Sequence, residues 1–363
     1  MLTRRAAIYL MRLLPVQMYG RLVPREVIGL CYHVVSDQDL PHVRNLYPFK
    51  NVTQFEADLL FLKRHLHPVS HEELVEARES GRKLPPGSVH LSFDDGYREC
   101  FDVVRPLLLK HGIPCTFFIT TGVLDNRELL AFNKVALALE ALRKLPPAGA
   151  AEVLRAISEA AGNQFATIPA LATWIRRAIR DPDSGGAALA DELCALTAVD
   201  TAAFLRHQRP YMTSDQVRQM AAEGFTIGGH TRLHWQMGRT RGRDRVEYEI
   251  VESCRIAAEL SGAKRVPFAF PYDASGVDRE FLAGLLARNP QIGPLFGAHG
   301  LQPDESFLVN RMLADAPPRV GRARSNLGGL IMGGYLEEML TAEKVTAAHA
   351  IPAATILATA VAC

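Results

Sequence analysis

With 363 residues, 48% of them apolar and 22% charged, the chain has the composition of an ordinary soluble globular protein. Its formal net charge of +2 shows no excess of either sign, so charge points to no nucleic-acid partner. Cys31, Cys100, Cys115, Cys194, Cys254 and Cys363 stand singly, without a CxxC pair, which argues against a zinc knuckle or a disulfide framework and for buried free thiols in a reducing compartment.

The length suits one large α/β domain, or one catalytic domain carrying an insertion. At the start, early arginines precede an apolar stretch, but Arg12 interrupts it and no clean small-x-small cleavage site follows. We therefore expect a helix over residues 1–23 rather than a secretory signal, either resting peripherally on a membrane surface or packing ordinarily, and a cytoplasmic chain. From there short apolar segments alternate with helical patterns. Val27–Tyr32, Val89–Phe93, Cys115–Ile119, Phe225–Gly228 and Pro267–Phe270 have the look of buried strands, and Val52–His65, Tyr97–His111, Ser214–Glu223 and Arg245–Ser261 of helices. This rhythm predicts an α/β fold, a parallel sheet with helices outside it, closed into a barrel or left open. Residues 125–208 break the rhythm. They are rich in Ala and Leu at helical spacing, punctuated by Pro146-Pro147, Gly162, Pro169 and Gly185-Gly186, which predicts a helical insertion acting as a cap or as a lid over the substrate. The barrel is thus expected in two parts, 24–124 and 209–315, followed by a C-terminal extension over 316–363. Residues 345–363 are apolar but hold His349 and Pro352 and barely reach spanning length, which disfavours a membrane anchor.

Chemistry concentrates where predicted strands end. His90-Leu91-Ser92-Phe93 runs into Asp94-Asp95-Gly96-Tyr97, two adjacent carboxylates that serve one site only if the chain turns there, a freedom Gly96 supplies. A capped Asp-Asp-Gly turn explains the same residues without a function. After another short apolar segment come His230 and His234, which face one way if the segment forms a helical turn; such pairs also occur on solvated helix faces. Together the two motifs offer two imidazole nitrogens and one carboxylate, the donor number of an open catalytic metal site.

Ser92-Phe93-Asp94-Asp95-Gly96-Tyr97, the segment Thr116-Phe117-Phe118, Gly229-His230-Thr231-Arg232-Leu233-His234 and Phe268-Ala269-Phe270-Pro271-Tyr272-Asp273 follow one another in an order that resembles the polysaccharide deacetylase family, carbohydrate esterase family four. The likeness runs from about Pro24 to about Asp315 with the insertion excluded. It implies a distorted (β/α) barrel with fewer than eight strands, one divalent metal ion, and hydrolysis of N-acetyl groups on the amino sugars of a polysaccharide, oligosaccharide or lipid-linked glycan. Zinc is the expected ion, with cobalt, nickel, manganese and iron accepted by the same donors. By the resemblance Asp94 is the catalytic base, Asp95, His230 and His234 are the metal ligands, and Pro271 and Tyr272 line the substrate groove, with Tyr97 beside them. The arginine usual in the third motif is absent, since Phe268 or Ala269 stands in its place. The segment Leu30-Cys31-Tyr32-His33-Val34 resembles the N-terminal strand of a circularly permuted branch and makes His33 the expected general acid, ahead of His299. Asp37, Arg98 and Arg311 lie near motif ends without an assigned role. Two alternatives use the same residues: an O-acetyl esterase on a polysaccharide, and a non-catalytic carbohydrate-binding protein, which the missing arginine would favour. The sequence leaves the oligomeric state open.

Overall fold

The computed structural model describes residues 26–302, 306–318 and 324–348, so the expected N-terminal helix and the apolar tail beyond residue 348 lie outside the described residues. Among them are eight strands: β1 (Ile28–Tyr32), β2 (His67–Pro68), β3 (Ser88–Phe93), β4 (Thr116–Ile119), β5 (Thr226–Gly229), β6 (Val266–Ala269), β7 (Ile292–Gly297) and β8 (Leu308–Leu313). Every pairing between them is parallel. β1 bonds to β3 on one side, with Ile28 opposite Val89, and to β8 on the other, with Gly29 opposite Arg311. The ring β1-β3-β4-β5-β6-β7-β8 is therefore closed, and β2 only extends the start of β3. Seven parallel strands make the distorted (β/α) barrel that the sequence predicts.

A strand with packed side chains inside the ring and helices outside meets water on neither face, so its sequence is largely apolar and any polar residue in it is buried. β1, β3, β4, β6 and β7 are buried at every position. Adjacent residues still serve different faces. Phe117 joins the core beneath the helices, whereas Phe118 packs with Ala269, Phe296 and Val309.

Outside the ring lie α1 (Val52–His65), α2 (His71–Ser80) and α3 (Arg105–His111). Capping boxes start two of them: Asn51 with Gln54 for α1, and Ser70 with Glu73 for α2. The helix expected from Tyr97 begins later, with a π-helical turn over Cys100–Val104, because Tyr97 is held in a bridge to Tyr211. Between β4 and β5 come α4 (Ala131–Lys144), α5 (Pro147–Ala161), α6 (Ile168–Ala178), α7 (Gly186–Leu196) and α8 (Thr201–Gln208). These five share a core of their own, including Leu139, Ile157, Leu171, Ile175 and Leu193. Val34, Tyr97 and Val123, which follow β1, β3 and β4, belong to the same core, so the helices cap the end of the barrel at which strands finish. α9 (Ser214–Ala222), α10 (Arg243–Ser261) and α11 (Arg279–Arg288) complete the outer layer.

The last helix, α12 (Leu327–Ala348), buries Leu327, Ile331 and Tyr335 in the barrel's core. Ahead of it, Ser325 donates to Asp58 at 2.6 Å, and Asn326 accepts from Lys50 at 2.7 Å. Lys50 and Asp58 form a fully buried ion pair, and the Tyr32 hydroxyl also donates to Asp58. No helix among the described residues is long and apolar enough to cross a membrane.

Candidate active site

Asp94 is the first residue past β3, and its N–H still bonds to the Tyr32 carbonyl at 2.9 Å. The chain then turns through two left-handed residues, Asp95 at φ 72° and Gly96 at φ 81°. The turn thus starts one residue before the glycine, and Asp95 bears the strain. Thr231, His234 and Tyr272 are left-handed too, at φ 60°, 61° and 64°. Each such residue costs about 1 kcal/mol or more, and clusters of them are typical of functional sites, where surrounding structure holds them in place.

His230 directly follows β5, and its Nδ1 bonds to the Ala269 carbonyl of β6 at 2.8 Å. A carbonyl only accepts, so Nδ1 carries the hydrogen and Nε2 keeps a free lone pair. That Nε2 lies 3.6 Å from Asp95 Oδ1, and the Nε2 of His234 lies 3.1 Å from the same oxygen. The segment between the histidines is a loop and not a helical turn, yet both imidazoles face the same oxygen. Thr231 Oγ1 accepts from the His234 N–H at 2.9 Å, and the buried Glu249 of α10 accepts from the Arg232 N–H at 2.8 Å. The Arg232 carbonyl accepts from the Gly122 N–H at 3.0 Å, and a Cβ at Gly122 would stand 2.4 Å from that carbonyl oxygen. Only glycine allows this approach.

The three groups fit a divalent ion. Asp95 Oδ1 is buried with no hydrogen-bond partner, so a carboxylate oxygen faces two imidazole nitrogens with nothing else to satisfy it. Tetrahedral donors to one zinc-like ion stand roughly 3.3 Å apart, close to the separations found here. Burial would raise the Asp95 carboxyl, but His234 and His230 outweigh it and hold the group well below its ordinary value, ionised and able to bind a cation.

Asp94 is gripped by Arg311 of β8. Nη1 donates to Oδ1 at 2.7 Å and Nη2 to Oδ2 at 2.8 Å, the two-pronged geometry that fixes a carboxylate's orientation. The guanidinium also donates to Ser92 Oγ and to the Gly297 carbonyl, lies 5.0 Å over the Phe118 ring, and is fully buried. β8 runs beside β1, and a Cβ at Gly29 would meet Arg311 Cγ at 2.8 Å, so this glycine makes room for the arginine. The arginine missing from the third motif is thus supplied from another strand. Burial alone would raise the Asp94 carboxyl, yet Arg311 leaves it below the ordinary carboxylate value.

His33 follows β1 and faces the same cavity, with its Nδ1 2.8 Å from Asp315 Oδ2 while the other Asp315 oxygen accepts the His33 N–H. Burial pulls the imidazole down, but Asp315 outweighs it and raises the value to about 9, so His33 is protonated at neutral pH. The Tyr47 ring lies 4.7 Å from His33, and its hydroxyl donates to Asp95 Oδ2 at 3.3 Å. The cavity holds about 350 Å³ and includes Asp94, Asp95, His230 and His234 in its wall. The helical cap adds Phe132, Arg176, Ile179 and Arg180. Phe132 and Tyr272 each place a ring 4.8 Å from His234.

Of the expected groove residues, Tyr272 lines this wall, whereas Pro271 is buried and is not among the lining residues. Tyr97 does not reach the cavity. It is wholly buried against Tyr211, and its hydroxyl accepts from Asn133, because the turn at Asp95 and Gly96 points it into the cap's core. Asp37 accepts from the Val52 N–H, Arg98 reaches the Gln208 carbonyl, and His299 bonds to Ser275, so none of the three joins the site. Sequence reasoning missed Tyr47, Phe132, Arg176, Arg180 and Asp315. Arg311 had a usable signal: a lone arginine inside the apolar run Leu308–Leu313 must be paired if buried.

Among solved structures, the deacetylase PplD of Streptococcus pyogenes is similar at 14% identity, covering 86% of this chain and 97% of that one with a TM-score of 0.50. IcaB from Ammonifex degensii follows at 17% identity, with coverage of 85% and 97% and a TM-score of 0.48. The first of these likenesses speaks to the fold alone. No curated protein matches the chain. The sequence profile of the polysaccharide deacetylase family matches residues 81–165 and 192–284, the stretches that hold Asp94, Asp95, His230, His234 and Tyr272. With that match and the barrel together, the chain belongs to the polysaccharide deacetylase family and is a deacetylase of acetylated carbohydrate.

Proposed function

We propose that this deacetylase is divalent-metal-dependent, that zinc is its ion, and that it removes N-acetyl groups from amino sugars. The observation that carries the reading is the convergence of the His230 and His234 Nε2 atoms on the buried, otherwise unsatisfied Oδ1 of Asp95, with Asp94 and His33 facing the same cavity. Asp95, His230 and His234 would hold the ion, which supplies Lewis acidity, easing deprotonation of water and polarising the acetyl oxygen.

The remaining steps fall to side chains. Asp94, ionised and aimed by Arg311, takes a proton from the attacking water as its oxygen bonds to the acetyl carbon. Protonated His33, held by Asp315, gives its proton to the sugar nitrogen as the carbon–nitrogen bond breaks. Acetic acid and free amine result, ionising in water to acetate and ammonium, and a proton moved from Asp94 to His33 restores both. An amine leaves poorly unless protonated, whereas an alcohol needs less help, so the charged His33–Asp315 pair favours N- over O-deacetylation. Arg311 removes the missing-arginine argument for a non-catalytic protein.

Acetate release from N-acetylglucosamine oligomers tests the reading. We expect purified protein to contain one divalent ion per chain, to lose activity to a chelator, and to regain it with zinc. Metal-free protein of undiminished activity would overturn metal dependence.

A further inference from the structure

The cap's contribution to the cavity is unusual in charge. Arg176, in the last turn of α6, and Arg180, just beyond that helix, both line the wall opposite the barrel residues. Neither meets a carboxylate among the described residues, and the Nε of each is buried without a partner. By contrast, the enclosed arginines Arg78, Arg105 and Arg311 each grip a carboxylate, Glu26, Glu223 and Asp94. A guanidinium carries five N–H donors. Arg176 spends one on the Asn45 carbonyl at 2.6 Å, while the Arg180 guanidinium carbon lies 4.3 Å from the centre of the Tyr272 ring. Both are thus fixed in place with donors to spare. An ordinary helix-end arginine, favoured by the backbone dipole, would instead extend into water.

The other charges of the wall do not answer them. Asp94 is spent on Arg311, His33 on Asp315, and Asp95 faces the two histidines. Asp273 accepts from the Ser275 N–H and from Gln236. The cavity's lining also includes the apolar Leu46, Phe132, Ile179 and Leu313, and low-polarity surroundings strengthen attraction for an anion. The volume of about 350 Å³ suits an amino sugar with a substituent.

We infer that the deacetylase prefers an acidic substrate: the N-acetylated sugar carries, or adjoins, a phosphate ester or a carboxylate that Arg176 and Arg180 bind. The planar fork of arginine matches both groups. The inference rests on the N-deacetylation proposed above and narrows its substrate class.

The test uses the full-length, metal-loaded protein and three probes: neutral N-acetylglucosamine oligomers, N-acetylglucosamine 1-phosphate, and a disaccharide of glucuronate and N-acetylglucosamine. We expect kcat/KM to favour at least one acidic probe over the neutral one by about tenfold or more, the scale of one charge-assisted hydrogen bond. Which acidic probe is favoured tells phosphate from uronate. Arg180→Gln and Arg176→Gln should bring the acidic-to-neutral ratio toward one, mainly through KM, Arg180→Lys should restore part of it, and added salt should shrink it. Thermal melting of each variant separates misfolding from lost recognition. Equal rates on all probes, or a ratio that stays high in both folded glutamine variants, would overturn the acidic preference and leave deacetylation standing. Release of acetate from none of the three would overturn the deacetylation reading and the preference with it.

Discussion

Asp94 shows how one residue's chemistry is set by its neighbours. A buried carboxylate without a partner would take up a proton and cease to be a base; the two hydrogen bonds from Arg311 prevent that. Arg311→Met should therefore cost about 3–5 kcal/mol of stability, the usual penalty for stranding a buried charge, as well as most of the turnover. Denaturant titration beside an acetate assay checks both, and a stable, active variant would refute the assigned role. His33 yields a pH prediction. Its folded value of about 9 exceeds the ordinary 6.5, so its contribution to stability is complete below 6.5 and is lost as pH rises through about 9. Activity that needs the imidazolium should fall over the same direction of pH, and a divalent ion nearby shifts that limb downward by repulsion. Asp315→Asn removes the main cause of the raised value, so the basic limb of kcat/KM should move down by about one pH unit or more. An unmoved limb would release His33 from the acid role.

At the level of strands and loops, glycine marks where chains must touch. Gly122→Ala would drive a methyl into the Arg232 carbonyl, so the loop carrying His230 and His234 has to shift. We expect lower metal content, read by elemental analysis, with a smaller change in overall folding. Much of this architecture was legible in the sequence. β1, β3, β4, β5 and β6 stood out as short, largely apolar segments, with His90 and Ser92 the polar exceptions in β3, and α1 matched from Val52 to His65. β7 and β8 did not. β7 contains Gly293-Pro294, which mimics a turn, and β8 contains Asn310 and Arg311, which break the apolar pattern: Arg311 pairs with Asp94, while Asn310, on the opposite face of the strand, donates to the Gln302 carbonyl. For the site, the donors sat in contiguous motifs and were readable. Their supports, Arg311 in β8 and Asp315 just beyond it, lie more than two hundred residues from Asp94 and His33 in sequence, and only closure of β8 onto β1 brings them near.

Across the whole molecule, the barrel brings together the reacting groups while the helical cap closes over them, with Phe132 against His234 and Arg180 against Tyr272. Binding of an ion to the folded state alone should raise stability by about 2.7 kcal/mol at a hundredfold excess over Kd, and the melting temperature should rise with zinc concentration. Asp95→Ala should abolish that rise. The proposed chemistry depends on the division of labour between the adjacent carboxylates Asp94 and Asp95, which Asp94→Asn separates. Elemental analysis and acetate release, measured on the same preparation, should show one divalent ion per chain retained and turnover reduced by about a hundredfold or more, the contribution expected of a general base. Loss of the ion from Asp94→Asn, or turnover near that of the native protein, would contradict the account.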